Sequence, residues 1–282
     1  MDPAARDAAE EASAFSHPAV APDATAAYGD HPDQVVDFYA PRDGRVRAPL
    51  VVALHGGAWR APYDRAHLSP FADFLARRGF AVASVEYRRG GGAAPVAGRW
   101  PETFDDVAAA LDAVPELAAA HLPQADPGRT VLTGHSAGGH LALWAAARHV
   151  LPAGSPWRLP EPPPLRGVVA LAPIAHFARA VELGVCGGAV TELLGGPEAY
   201  GERAASADPA VLLPTGIATT VVQGREDVVV PYAVADAYAE AAAKAGETVG
   251  LTLLEETGHF PPIDPATDAC AVVAEEIAQL AW

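Results

Sequence analysis

The 282-residue chain is 50% hydrophobic and 19% charged, which is enough for one large domain around a single core. Its formal net charge of −16 makes nucleic acid and anionic membranes unfavourable partners, because like charges repel. Two cysteines do not make a disulfide framework, and no Cys/His spacing predicts a zinc site, so we expect no metal and no organic cofactor. No stretch has the apolar length of a signal-peptide core or a membrane span, which predicts a soluble, cytoplasmic protein. The oligomeric state is left open, a homodimer included.

The first part of the chain differs from the rest. Residues 1–33 are polar and rich in Ala, Asp and Pro, which predicts a mobile arm with helical character near residues 4–14. A single domain is expected over residues 34–282.

Beyond the arm, strand and helix patterns alternate, which predicts a mostly parallel sheet with helices on both faces. A continuous apolar run such as residues 48–54 is typical of a strand covered on both sides. The predicted elements, in chain order, are strands at 34–41 and 48–54, a helix at 68–78, a strand at 80–87, a helix at 101–121 that Pro115 kinks or divides, a strand at 130–133, a helix at 137–149, strands at 167–173 and 219–222, a helix at 231–245, a strand at 250–255 and a helix at 267–280.

Three connections lack such patterns. Residues 89–100 form a glycine-rich loop, residues 151–165 carry six prolines, and residues 174–215 are irregular with short helices. We expect 151–165 and 174–204 to form the acyl and leaving-group pocket, with 174–204 also a candidate lid.

One pentapeptide carries a chemical signature. Gly134-His-Ser136-Ala-Gly138 lies between a predicted strand and a predicted helix, and it fits Gly-x-Ser-x-Gly. In that motif a strained turn exposes the serine at a helix N-terminus, and side chains at the two glycine positions would collide with neighbouring backbone. Ser136 is therefore the predicted nucleophile. Taken alone, the pentapeptide is also compatible with an ordinary glycine-rich loop.

A serine nucleophile needs a histidine base oriented by a carboxylate. Of the ten histidines, His259 follows the last predicted strand, and Asp227 follows the strand before it. The order Ser136, Asp227, His259 is the serine-acid-histidine order of α/β-hydrolases. Glu226 is the alternative acid. His135 is expected to point away from the serine, and His140 to pack beneath the turn.

The negative charge of a tetrahedral intermediate needs preorganised N–H donors. The candidates are the N–H of Ala137, directly after the nucleophile, and those of Gly56 and Gly57, which follow a buried strand. Candidate substrate contacts are His55, Trp59 and Phe260. A structural role is the alternative for two of them: His55 orienting its loop through hydrogen bonds, and Trp59 packing against the neighbouring loop.

Over residues 34–280 the chain resembles α/β-hydrolases of the kynurenine formamidase (arylformamidase) and related small-esterase group. The segments that carry the resemblance are His55-Gly-Gly-Ala-Trp59, Val85-Glu-Tyr-Arg88, Gly134-His-Ser-Ala-Gly-Gly139, Leu194-Gly-Gly196, Ala205-Ser-Ala-Asp-Pro209, Gln223-Gly-Arg-Glu-Asp227 and Gly258-His259. The resemblance implies the α/β-hydrolase fold and a Ser136, Asp227, His259 triad.

The sequence predicts one of two hydrolytic functions, with a function of another class as a further alternative. Because Ala58 stands where esterases of this group usually have a third glycine, the resemblance favours hydrolysis of N-formylkynurenine to kynurenine and formate. The same-fold alternative is a carboxylesterase for short acetyl or aryl esters. The alternative of another class is a non-catalytic ligand-binding protein on a hydrolase fold. Each takes a small molecule as its partner.

Overall fold

The computed structural model describes residues 2–90 and 98–282. Within these residues, eight strands form one sheet. The strands are β1 (Ala24–Ala27), β2 (Val35–Tyr39), β3 (Ala48–Leu54), β4 (Ala81–Val85), β5 (Ala125–His135), β6 (Gly167–Leu171), β7 (Thr219–Gly224) and β8 (Gly250–Leu254). Their order across the sheet is β1-β2-β4-β3-β5-β6-β7-β8. The β1–β2 and β2–β4 pairs are antiparallel, and the remaining pairs are parallel.

The helices of the described residues are α1 (Pro3–Ala14), α2 (Ser69–Arg77), α3 (Glu102–His121), α4 (Ala137–Ala146), α5 (Phe177–Glu182), α6 (Ala189–Leu193), α7 (Pro197–Ala207), α8 (Tyr232–Lys244) and α9 (Asp268–Ala281). Four short 3-10 turns lie among them, at Arg65–Leu68, Arg148–Val150, Val185–Gly187 and Pro261–Ile263. Among the described residues, no helix combines the length and the hydropathy that crossing a bilayer requires.

Helices cover both faces of the sheet. Along β3, Leu50 and Val52 pack into the core with α3, α4 and α8, whereas Val51 and Ala53 pack into the core with α2 and α9. Alternate side chains of a strand point to opposite faces, so a strand buried on both sides is apolar at every position. The α/β-hydrolase fold class predicted from the sequence is confirmed.

Most predicted elements lie where the sequence placed them, and three differ. β5 begins five residues before the predicted strand, and the helix after Ser136 ends at Ala146, ahead of the 3-10 turn Arg148–Val150. Pro115 lies inside α3 without dividing it. Of the predicted loop 89–100, residues 91–97 lie outside the described residues.

The N-terminal segment differs from the expected arm ahead of the domain. β1 pairs with β2 and so belongs to the sheet. Its sequence, Ala-Thr-Ala-Ala, has small side chains and only one buried position, Ala26, so it lacks the alternation that predicts a strand. α1 contacts the end of the chain that follows β8: Glu10 accepts a hydrogen bond from Gly258 N at 3.1 Å, and Ser13 Oγ donates to Asp264 at 2.6 Å.

Candidate active site

The polar residues of the predicted site lie at one edge of the sheet. His55 directly follows β3, Ser136 follows β5, Asp227 follows β7 and His259 follows β8. These four strands are parallel, so their carboxyl ends meet at the same edge, which is where open α/β sheets bind ligands.

Ser136 lies on the sharp turn between β5 and α4, with φ 56° and ψ −116°. Both neighbouring glycines are required by close backbone contacts. A Cβ on Gly134 would lie 2.2 Å from Gly138 O, and a Cβ on Gly138 would lie 2.1 Å from Leu54 O. The turn thus places the serine hydroxyl directly before the first residue of α4, where the helix dipole stabilises negative charge.

The predicted acid and base are in contact. His259 Nδ1 lies 2.7 Å from Asp227 Oδ2, and both side chains are buried. Because a carboxylate only accepts hydrogen bonds, Nδ1 carries the hydrogen and Nε2 is the free, basic nitrogen. Asp227 is held in turn by the backbone N–H groups of Val229 and Val230, at 2.9 and 2.8 Å from Oδ1. This arrangement fixes the imidazole in the tautomer that accepts a proton from a serine.

Two residues that the sequence did not assign to the site support the pair. His135 lines the same cavity as Ser136, and its Nε2 donates to His259 O at 2.9 Å. Burial and the nearby His259 lower the pKa of His135 well below its usual value, so it stays neutral. Gln223 Nε2 donates to Asp227 Oδ2 at 3.0 Å. The expectation that His135 points away is wrong, because its ring contacts His259 with centroids 4.5 Å apart.

The predicted oxyanion donors lie beside the nucleophile. An added Cβ on Gly56 would lie 3.3 Å from Ser136 Cβ, which shows how closely this loop approaches the serine. Gly57 has φ +104°, and a Cβ there would lie 2.3 Å from Tyr63 Cβ. Within residues 2–90 and 98–282, the N–H groups of all three predicted donors, Gly56, Gly57 and Ala137, have no acceptor. They are free to bind an oxygen of a substrate.

Of the three candidate substrate contacts, only Phe260 lines the cavity. His55 is fully buried, with Nδ1 2.8 Å from Gly56 O and Nε2 2.8 Å from Glu86 Oε1. Trp59 is also fully buried and packs edge-on against His140. The assignment of His55 and Trp59 as substrate contacts is therefore corrected, because both side chains point into the protein.

Glu86 anchors the loop that carries Gly56 and Gly57. It contacts His55, and its other oxygen accepts a hydrogen bond from Arg65 N at 3.0 Å. Burial alone would raise the pKa of Glu86, but His55 and Arg89 outweigh that effect and lower it to about 2. The buried carboxylate is thus ionised at neutral pH and holds His55 in place.

Ser136 and His259 open onto one cavity of about 210 Å³. Helix α1 and the residue after it supply part of its wall, through Asp7, Glu11 and Phe15. Segment 174–204 contributes Cys186, whereas the proline-rich loop 151–165 contributes nothing and lines a separate cavity with α3. The sequence predicted the pocket from 151–165 because that loop lacks regular structure, and it gave no signal that the N-terminal helix folds back over the site.

The other acids near the site have different partners. The alternative acid Glu226 is half exposed and lies 3.5 Å from Arg6. Asp264 is buried against Ser13 and His17, both from the N-terminal segment. Neither contacts His259 by a hydrogen bond or an ion pair within the part of the chain that the structure describes.

The family assignment rests on residues 36–241, which match the model of the BD-FAE family. The chain belongs to the BD-FAE family. The matched region contains two of the three predicted catalytic residues, Ser136 and Asp227, and ends before His259. Membership agrees with the fold and confirms the resemblance at the level of α/β-hydrolases. The narrower resemblance to kynurenine formamidases stays a prediction.

Proteins similar to this BD-FAE member are named as ester hydrolases. The chain is 34% identical over 118 residues to a probable isoprenylcysteine α-carbonyl methylesterase of Oryza sativa subsp. japonica, covering 42% of this chain and 27% of that protein. It is 34% identical over 101 residues to the probable carboxylic ester hydrolase LipM of Mycobacterium tuberculosis, covering 35% and 21%. The matches thus span about a quarter of the length of these curated relatives.

The fold is similar to that of a truncated carbohydrate esterase from gut microbiota. The TM-score is 0.74 at 19% identity, and the superposition covers 92% of this chain and 96% of that one. At this identity the likeness concerns the fold alone.

Proposed function

We propose that this BD-FAE member is a serine carboxylesterase that hydrolyses esters of short acyl groups. The observation that carries the proposal is the 2.7 Å contact between His259 Nδ1 and Asp227 Oδ2, beside a cavity that His259 shares with Ser136. A buried carboxylate, an oriented imidazole and a serine on a strained turn make up the machinery of nucleophilic acyl transfer.

The reaction proceeds in two halves. Ser136 Oγ attacks the ester carbonyl while His259 Nε2 takes its proton, and Asp227 stabilises the imidazolium that forms. The N–H groups of Gly56, Gly57 and Ala137 bind the oxyanion. His259 then gives the proton to the departing alcohol, which leaves an acyl group on Ser136. Water, activated by His259, attacks the acyl carbon and releases the acid.

Cavity size and relatives support the choice of substrate. Pockets for drug-sized ligands span about 300–1,000 Å³, so a cavity of about 210 Å³ favours short acyl groups. The curated relatives are named as ester hydrolases, which favours an ester over a formamide. One observation supports N-formylkynurenine as a substrate instead, namely Ala58 in place of a third glycine.

The test is a substrate series on the purified protein: p-nitrophenyl acetate, butyrate and octanoate beside N-formyl-L-kynurenine. We expect kcat/KM to be highest for the short esters and to fall sharply at octanoate. Turnover of the formamide far above that of every ester would contradict the proposal and restore the formamidase prediction.

A matched pair of serine variants identifies the nucleophile. Ser136→Ala should lower kcat on p-nitrophenyl acetate by roughly 10⁴-fold, with a residual rate from the oxyanion donors. Ser155→Ala, in the loop that does not line the cavity, should keep wild-type activity. Labelling by a fluorophosphonate should follow the same pattern. A Ser136→Ala variant with most of its activity would contradict the assignment of the nucleophile. A wild type that resists the label would favour a non-catalytic binding protein.

A further inference from the structure

Helix α1 brings two carboxylates to the wall of the catalytic cavity. Asp7 and Glu11 lie four residues apart, on one face of the helix, and both line the cavity. Neither carboxylate forms an ion pair or a hydrogen bond with any residue in 2–90 or 98–282. The Oδ1 atom of Asp7 is buried, and burial raises the pKa of this carboxyl. A buried carboxylate oxygen without a partner costs free energy until a cation or a donor compensates it.

Aromatic rings line the same cavity. Phe15, Tyr63 and Phe260 all contribute to its wall, and the Phe15 ring centroid lies 5.5 Å from that of Phe260 and 6.4 Å from that of Tyr63. The face of an aromatic ring carries partial negative charge and attracts cations, ammonium groups above all. Rings and carboxylates on one wall therefore favour the same kind of ligand, independently of each other.

Among the described lining residues, the permanent positive charge is that of one arginine, and its guanidinium already contacts other groups of the protein. This arginine is Arg60, whose guanidinium donates to Cys186 O at 2.8 Å and lies 3.4 Å from a Glu192 oxygen. His67 also lines the cavity, but burial lowers its pKa to about 4, so it is neutral at pH 7. The cavity wall next to α1 thus keeps its negative character.

We propose, on the basis of the proposed esterase function, that the cavity selects esters whose alcohol part carries an ammonium group, with Asp7, Glu11 and the rings of Phe15, Tyr63 and Phe260 as its binding residues. We take the part of the wall at Phe15 as the mouth of the cavity, because Phe15 lines the cavity and is 36% exposed, and we assign the alcohol part to this side. The alcohol leaves first and must pass this mouth, whereas the acyl group stays on Ser136.

The test compares two esters of the same shape. Acetylcholine carries a trimethylammonium group, and 3,3-dimethylbutyl acetate carries a neutral tert-butyl group in its place. We expect kcat/KM to favour acetylcholine by about tenfold in the wild type, the size of a partly desolvated cation–π contact aided by charge. In the double variant Asp7→Asn with Glu11→Gln, the ratio should fall several-fold, to the part of the preference that the three rings supply. Glu240→Gln, on the exposed face of α8, should leave the ratio unchanged.

A second measurement separates this inference from the esterase proposal, because it needs no turnover. In Ser136→Ala protein, titration calorimetry should show tighter binding of choline than of 3,3-dimethylbutanol, and the Asp7→Asn, Glu11→Gln changes should reduce the difference several-fold. Equal binding of the two alcohols by Ser136→Ala protein, or a preference that the double variant leaves unchanged, would overturn the inference. Hydrolysis of the neutral ester would still support the esterase. Choline selectivity without hydrolysis of any ester would support the inference and count against the esterase.

Discussion

Two histidines next to the predicted site residues differ in where their side chains point, although both stand in recognisable motifs. His55 and His135 stand beside the oxyanion glycines and the nucleophile in sequence, yet only His135 lines the cavity. The difference comes from tertiary partners. Glu86 and Tyr87, which directly follow β4, hold His55 inside the protein, whereas His259 O accepts a hydrogen bond from His135. Neither partner is close in the sequence, so the direction of these rings could not be predicted from it.

The buried contact between Glu86 and His55 predicts a pH-dependent stability. Glu86→Gln keeps the shape but places an amide against donors from His55 and Arg65, so we expect a loss of about 2 kcal/mol or more in the free energy of unfolding at pH 7. A carboxyl whose pKa falls from 4.5 to about 2 on folding stabilises the protein above pH 4.5 and loses that effect as the pH falls toward 2. The difference in the free energy of unfolding between wild type and Glu86→Gln should therefore narrow from pH 5 to pH 3.

Urea unfolding at pH 7, 5, 4 and 3 measures this difference. Glu240→Gln, which removes an exposed carboxylate, serves as the control and should cost little at any pH. A difference that stays constant between pH 5 and pH 3 would contradict the role given to the ionised Glu86.

At the scale of elements, the β5–turn–α4 unit was predictable, whereas in the N-terminal segment only the helix near residues 4–14 was predicted, and neither its packing nor β1 was. The turn has a local signature, since Gly134 and Gly138 are needed by contacts that lie close in sequence or on the adjacent strand. No such signature fixes the packing of α1 or the pairing of β1: half of the residues of α1 are alanine and only Ala14 is buried, and β1 has small side chains. The position of α1 depends on partners far along the chain, such as Asp264 and Gly258, and so it could not be predicted from the local sequence.

The turn between β5 and α4 packs closely against the end of β3. We therefore expect one methyl group added at Gly138 to lower both the free energy of unfolding and kcat. In Gly138→Ala, the new Cβ would lie 2.1 Å from Leu54 O and 2.4 Å from His55 O, both of which are backbone atoms at the end of β3. Relief of this clash must move Ser136 away from the loop that carries Gly57. We expect a loss of about 1–3 kcal/mol in the free energy of unfolding and a fall in kcat of about 100-fold.

Gly154→Ala is the matched control, because nothing lies within 4 Å of its added Cβ. Urea unfolding and p-nitrophenyl acetate hydrolysis of both variants provide the measurement. A Gly138→Ala protein with wild-type stability and kcat would show that the turn tolerates a side chain and that the glycine is not required by packing.

At the scale of the whole molecule, the parallel sheet explains why the order of residues along the chain was informative. β3, β5, β7 and β8 all end at the same edge, so residues that follow different strands converge there even when they are more than 100 positions apart, as Ser136 and His259 are. Topology thus made the triad predictable. The topology does not determine the whole wall of the catalytic cavity, because part of that wall is helix α1, which lies outside the sheet.

The net charge of −16 predicts a salt dependence of kcat/KM that comes from the whole molecule and not from the catalytic cavity alone. An acidic protein attracts cations from a distance and repels anions, and salt weakens both effects because the screening length falls from about 30 Å at 0.01 M to about 10 Å at 0.1 M. Between 10 and 300 mM NaCl, kcat/KM should fall several-fold for acetylcholine, rise for the anionic ester 4-acetoxybutyrate and stay level for 3,3-dimethylbutyl acetate. The double variant at Asp7 and Glu11 should keep most of the salt dependence for acetylcholine, since 33 of the 35 acidic residues remain. If kcat/KM for 3,3-dimethylbutyl acetate fell with NaCl concentration as steeply as that for acetylcholine, salt would be acting on the enzyme itself and not on the attraction between enzyme and substrate charges.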